Sequence, residues 1–149
     1  MYSIEEFDKE KSRVLKYVLY KKRSKQEVKN KFYNTIESEM LNDIIDELEI
    51  NGYIDDNNYI ERAMNEFKAL NNLSIKEIKY KLLTKGISNN LIDDYIIKNK
   101  EDLAQYEFES ARKIVIKKMN LLDEEGIKQY LTKKGYMKDI ISEVLKELE

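Results

Sequence analysis

The sequence has no cysteine, no proline, no histidine and no tryptophan, and only four glycines among its 149 residues. Without cysteine there is no disulfide framework and no thiol nucleophile. Lacking histidine as well, the chain has neither the usual ligands of a tetrahedral zinc site nor an imidazole for acid–base work, which excludes most common hydrolase machinery. Proline and glycine punctuate chains built from many short strands, so their scarcity argues against a β-rich fold. No apolar run is long enough to cross a bilayer, and the opening stretch MYSIEEFDKEK is charged throughout, unlike a secretory signal. A cytoplasmic protein with no membrane partner is expected.

What remains is 42% hydrophobic and 38% charged, rich in Lys, Glu, Leu and Ile. That composition favours long helices, and the expected fold class is all-α. The net charge of −2, from 27 basic and 29 acidic residues, says nothing about a polyanionic partner, but the distribution does. Between Lys9 and Lys31 stand ten bases and two acids, a local charge of +8. From Glu37 to Glu49 there are six acids and no base, a local charge of −6.

A search for internal repeats finds Ser24-Lys-Gln-Glu27-Val28 again as Ser74-Ile-Lys-Glu77-Ile78 and, altered, as Asp123-Glu-Glu-Gly126-Ile127. In the first two copies the Ser hydroxyl can accept from the backbone N–H three residues on while the Glu reaches back, forming a capping box that starts a helix. The third keeps a capping Asp, but Gly126 cannot return the bond. Beyond each cap the apolar positions stay in step: Val28 and Phe32, Ile78 and Leu82, Ile127 and Leu131. Lys85-Gly86-Ile87 and Lys134-Gly135-Tyr136 then read as glycine-terminated helix ends, whereas the first unit has Ile36 in that slot and its turn is expected to differ. After the turn, Leu41, Ile45 and Leu48 align with Leu91 and Tyr95, then with Ile140, Val144 and Leu148, as the apolar stripe of another helix. An amphipathic stretch precedes each cap: Phe7 to Val18, Ile60 to Leu70, and Ala104 to Met119.

The pattern predicts nine helices, at about 6–21, 24–34, 37–51, 57–71, 74–84, 88–99, 102–118, 123–133 and 137–148. Grouped in threes they give repeats over 1–52, 53–100 and 101–149. Three short helices bury little alone, so the units are expected to stack as three tandem three-helix repeats in an elongated, curved array.

Three features invite functional readings. Asp55 and Asp56 form an acidic pair, but they precede a predicted helix and are read as caps rather than as a metal or catalytic site. Most of the eleven tyrosines sit at core-like spacing; Tyr33 and Tyr80 lie on polar helix sides and could stack on bases. The basic run at the junction of the first two helices is the strongest candidate, echoed by lysines in the later units. Lys22, Arg23, Lys25 and Lys29, with Lys76, Lys79 and Lys85, are nominated as a basic surface contacting a partner or DNA. The bland alternative is that these lysines merely solvate helix faces. No residue is nominated as catalytic, cofactor-binding or metal-ligating.

Together, the three-helix units, the Arg23-Ser24-x-x-Glu27-Val28 helix start, the Gly52-Tyr53-Ile54-Asp55-Asp56-x-x-Tyr59 linker and the Lys85-Gly86-Ile87 turn resemble the RecX family of recombinase regulators over nearly the whole chain. The resemblance implies a non-enzymatic protein without cofactors that binds the RecA recombinase filament on DNA, bridges successive protomers, and mostly inhibits ATP hydrolysis, strand exchange and filament growth. A monomer is expected, with single- or double-stranded DNA as a secondary partner. The alternative is a stand-alone DNA-binding module made of helix-turn-helix-like repeats. The acidic third helix argues against that alternative, since it would repel a duplex.

Overall fold

A computed structural model describes residues 1–147, and the described residues contain nine α-helices and no strand. They are α1 (Ile4–Tyr20), α2 (Lys25–Phe32), α3 (Ser38–Ile50), α4 (Asp56–Leu70), α5 (Ile75–Thr84), α6 (Asn89–Lys98), α7 (Lys100–Lys118), α8 (Glu124–Lys134) and α9 (Lys138–Lys146). Both expected capping boxes form. Ser24 Oγ accepts from Glu27 N at 3.1 Å while Ser24 N donates to Glu27 Oε1 at 2.9 Å, and Ser74 and Glu77 repeat the pair at the same distances. Asp123 caps α8 through Gly126 N at 2.8 Å, without the return bond. The expected core residue Leu148 lies outside the described residues.

The helices pack in threes, α1 to α3, α4 to α6 and α7 to α9, with α6 against α7 as the principal helix pair crossing between groups. Each group has its own core. Val14, Val18, Val28, Phe32, Leu41 and Ile45 fill the first; Ile60, Met64, Ile78, Leu82 and Ile92 the second; Ala111, Val115, Ile127, Leu131 and Ile141 the third. Each of these Val, Leu, Ile, Met and Phe side chains contributes about 1.5–3 kcal/mol on burial, so the apolar stripes rather than the caps supply most of the stability. α7 serves two cores, because Leu103 and Tyr106 in its first turns join the second cluster while Ala111 and Val115 join the third.

The first turn differs from the other two for a definable reason. Ile36, Ile87 and Tyr136 are equivalent buried residues, their N–H groups donating to Phe32, Leu82 and Leu131 carbonyls respectively. Four positions separate the first pair and five the others, so the first unit lacks the left-handed residue that Gly86 and Gly135 provide at φ +86° and +98°. The third-helix alignment accordingly shifts by one residue: Leu41 corresponds to Ile92 and Ile141, not to Leu91 and Ile140, and all three amides donate to the residue four earlier. In the linker that follows, Tyr53 is 44% exposed and its neighbour Ile54 is buried.

Both glycine turns lie against the preceding unit. Ser24 Oγ donates to the Lys85 carbonyl at 2.5 Å, and Ser74 Oγ donates to the Lys134 carbonyl at 2.8 Å. A Cβ on Gly86 would overlap the Gln26 side chain, and one on Gly135 would meet Lys76 Cδ at 2.9 Å. The same serine that caps one middle helix therefore receives the next unit's turn, and Ser24 and Ser74 are fully buried.

Candidate partner-contacting surface

At the α1–α2 junction the chain leaves α1 in an extended conformation at Lys21 and enters the Ser24 cap, which places Lys22, Arg23 and Lys25 around the start of α2. Lys22 is exposed, with no ion pair among the described residues. Arg23 sits over the Tyr17 ring, its guanidinium carbon 4.0 Å from the ring centroid, and its Nε is buried without a hydrogen-bond partner among the described residues. Lys25 Nζ pairs with Glu49 at 3.3 Å, and Lys29 is half-buried.

The glycine turn carries Lys85 to this same place. Because its carbonyl accepts from Ser24, Lys85 adjoins the Lys22–Lys25 segment, and its side chain is exposed. At the second junction Lys76 is exposed on α5 beside the Gly135 turn. Lys134, the counterpart of Lys85, bonds the Asn72 carbonyl at 3.2 Å and stands 3.7 Å from Glu77. Lys79 pairs with Asp93 at 2.7 Å across to α6. Of the seven nominated residues, Lys22 and Lys85 thus share the first junction without an ion pair among the described residues, Lys29 stands half-buried on α2, Lys76 marks the second junction, and Arg23, Lys25 and Lys79 are engaged within the fold.

The charge segregation of the sequence is partly spent internally. Lys11 Nζ meets Glu47 at 2.6 Å, and this contact, more than any other, holds the Lys11 ammonium above its usual range. Tyr2 OH donates to Asp43, whose carboxylate is the main cause of the Tyr2 hydroxyl being pushed up to about 12. The acidic α3 therefore faces the basic α1 and α2 at several points, and only part of the +8 run is available to a partner.

Both linker aspartates cap helices, but different ones. Asp55 Oδ1 accepts from Asn58 N at 3.1 Å on its own α4, whereas Asp56 Oδ1 crosses to Lys25 N at 2.9 Å, the first amide of α2. Burial raises the Asp56 carboxyl although that hydrogen bond works against the shift. The second junction repeats the device with Glu107 on α7. This residue is 1% exposed, and its carboxylate accepts from Met137 N at 2.8 Å and from Ile75 N, the first amide of α5. Desolvation pushes Glu107 up as well. Around it Tyr106 OH donates to the Leu73 carbonyl at 2.7 Å, and Ser110 Oγ shares a 2.6 Å hydrogen bond with Tyr136 OH.

A further surface feature lies on α1, outside the basic residues expected from the sequence. Arg13, Lys16, Tyr17 and Tyr20 share a face of α1 at helical spacing and, with Lys31 and Phe32 of α2, line a shallow hollow of about 380 Å³. Arg13 stands 5.7 Å above the Phe32 ring, and Lys31 lies 5.8 Å from the Tyr17 centroid. The i, i+3, i+4, i+7 spacing was the signal available in the sequence. Tyr33 and Tyr80, singled out as possible stacking residues, are 67% and 69% exposed.

Comparison with known proteins gives a consistent picture. No protein-family model matches the chain. It is 31% identical over 141 residues to the regulatory protein RecX of Streptococcus agalactiae, spanning 91% of this chain and 54% of that protein. It is 30% identical over 144 residues to the regulatory protein RecX of Finegoldia magna, spanning 87% and 67%. The chain thus spans about half the length of several relatives it matches and two thirds of others. The crystal structure of RecX from Lactobacillus salivarius superposes with a TM-score of 0.82 at 26% identity, over 98% of both chains.

Proposed function

The chain belongs to the RecX family of regulatory proteins, and on that premise we propose that it is a non-enzymatic regulator of the RecA recombinase. In this reading it binds the RecA filament on DNA, in the cytoplasm and as a monomer without cofactors. It restrains ATP hydrolysis, strand exchange and filament growth during recombination and DNA repair.

The observation that carries the reading is the repeated junction. The Ser24–Lys85 and Ser74–Lys134 bonds join the three units in series through the same contact, and each junction brings a lysine-bearing turn to a helix start. Units 1–52, 53–100 and 101–149 would then act as successive contact modules along a polymer. Engagement of two modules raises affinity through effective concentration, without any single strong contact. Lys22, Arg23, Lys25 and Lys29 from the first unit, with Lys76, Lys79 and Lys85 from the second, form the proposed surface. Lys22, Lys76 and Lys85 carry most of it, because they stand exposed and unpaired among the described residues, while Arg23, Lys25 and Lys79 hold it in place.

The test is inhibition of RecA ATP hydrolysis on single-stranded DNA by the parent protein and by a Lys22→Glu, Lys76→Glu, Lys85→Glu variant. Loss of inhibition with unchanged helical circular dichroism supports the assignment. Undiminished inhibition at physiological salt overturns it.

The hollow between Arg13, Tyr20 and Lys31 favours a second reading, in which the chain is a stand-alone DNA-binding module. Cations beside an exposed aromatic suit a single strand. The six carboxylates of residues 37–49 weigh against insertion into a duplex groove.

A further inference from the structure

Where α6 ends, α7 begins and α9 begins, the fold leaves an open cleft of about 840 Å³. Its apolar lining comes from Ile97, Leu103, Phe108, Met137 and Ile140. Two of these have no reason to be apolar on account of the core: Ile97 is 73% exposed and Met137 60% exposed. Scattered exposed apolar residues need no explanation, but here they converge on one concavity whose lining includes the buried Glu107.

The rim has a definite sign. Glu101, Asp139 and Glu143 stand exposed around the cleft against the single base Lys100, and none of the four forms an ion pair among the described residues. A trough with apolar walls and an unpaired acidic rim is complementary to a helix with apolar anchors at i, i+3, i+4 and i+7 and Lys or Arg on its flanks.

We infer that this cleft is a docking site for a basic amphipathic helix of a partner protein, separate from the lysine surface on the first two units. The inference does not depend on the identity of the protein regulated. Apolar anchors seat between Ile97 and Met137, and the rim carboxylates set orientation and reject acidic segments. Glu107 fixes the cleft's shape by holding the start of α9 to α7, so the site is preformed at the second junction.

The chain carries a built-in reporter. Its methionines are Met1, Met40, Met64, Met119 and Met137; Met137 lies in the cleft, whereas Met40 and Met64 are buried in the first and second cores. With methyl-13C methionine in the full chain, a designed Leu/Lys amphipathic helical peptide should shift the Met137 methyl signal and leave Met40 and Met64 in place. A Leu/Glu peptide of the same apolar pattern should not. The Glu101→Lys, Asp139→Lys, Glu143→Lys variant should bind the Leu/Lys peptide about tenfold more weakly, three exposed charges contributing modestly each. Ile97→Asp should abolish the shift, with the Met40 and Met64 signals reporting that the cores are intact. The inference is overturned if Met137 does not respond, if both peptides act alike, or if its signal changes on dilution alone, since a second copy of the chain would then be the occupant.

Discussion

The hydroxyl of Ser24 caps its own helix and donates to the carbonyl of Lys85, in the next unit, at 2.5 Å. One side chain thereby does two jobs that an aspartate at that position could not combine: a Ser oxygen both accepts and donates, whereas an ionised Asp only accepts. Ser74 does the same toward Lys134, while Asp123, which has no described turn against it, keeps the cap alone.

The difference between serine and aspartate gives the first prediction. Ser24→Ala or Ser74→Ala should cost about 2–4 kcal/mol, from loss of a cap worth about 1 and of a part-buried carbonyl's partner worth about 1–3. Asp123→Ala, losing only an exposed cap, should cost about 1 kcal/mol. Ser24→Asp should retain the cap yet remain destabilised, because a carboxylate would face the Lys85 carbonyl. Urea midpoints of the four variants check the order; equal losses at positions 24 and 123 would contradict a junctional role for the serine.

Glycine turns give the second. Gly52→Ala must bear a left-handed φ of +82° but meets nothing within 4 Å, so it should cost about 1–2 kcal/mol. Gly86→Ala bears the same strain and also strikes Gln26, so it should cost clearly more and loosen the contact between the first two units. Hydrogen exchange of the α2 and α5 amides, alongside chemical denaturation, distinguishes local strain from unstacking. Comparable values for Gly52→Ala and Gly86→Ala would mean that the turn does not bear on α2.

Much of this architecture was legible in the sequence, and what was not has a common cause. The capping boxes, the Val28/Phe32, Ile78/Leu82 and Ile127/Leu131 stripes and the Gly135 stop are local signals. They placed every described helix end within two residues. Partners about thirty to sixty positions away leave no such trace: Ser24 to Lys85, Asp56 to Lys25 and Glu107 to Ile75 all join separate units. Asp56 was recognised as a cap but on the wrong helix, since either α4 or α2 could use a carboxylate there. The absent residue before Ile36 hid the register of α3, and pairing by sequence position alone set Leu41 against Leu91 rather than Ile92. Among the nominated lysines, charge was visible but engagement was not, so Lys25 and Lys79 could not be told from Lys22 and Lys76.

A third prediction concerns pH. Burial holds the Glu107 carboxyl above its ordinary value of 4.5, so the folded protein keeps that proton longer than the unfolded chain does. The stability contributed by this group is present at pH below 4.5 and is lost as pH rises through the higher folded value. Glu107→Gln removes the titration while keeping an acceptor for Met137 N or Ile75 N. The thermal midpoint of the variant relative to the parent should therefore rise as pH increases across that window. A constant offset would show that Glu107 titrates alike in both states.

Salt supplies the fourth. If exposed lysines at both junctions engage phosphate or carboxylate, affinity for the filament should fall with rising salt, and the Lys22→Glu, Lys76→Glu, Lys85→Glu variant should show a shallower slope than the parent. Fluorescence anisotropy with the labelled protein across a salt series measures this. Identical slopes would place the electrostatic contact elsewhere, with the Arg13, Lys16 and Lys31 hollow the next surface to change.

The central claim is that a series of three interlocked helical units recognises a recombinase polymer rather than the nucleic acid it coats. Titrating the protein onto bare single strands and onto RecA-coated strands in parallel, at roughly 150 mM salt where nonspecific phosphate binding is weak, tests it most directly. The account predicts markedly tighter binding to the coated strand. Equal or stronger binding to bare DNA would contradict it.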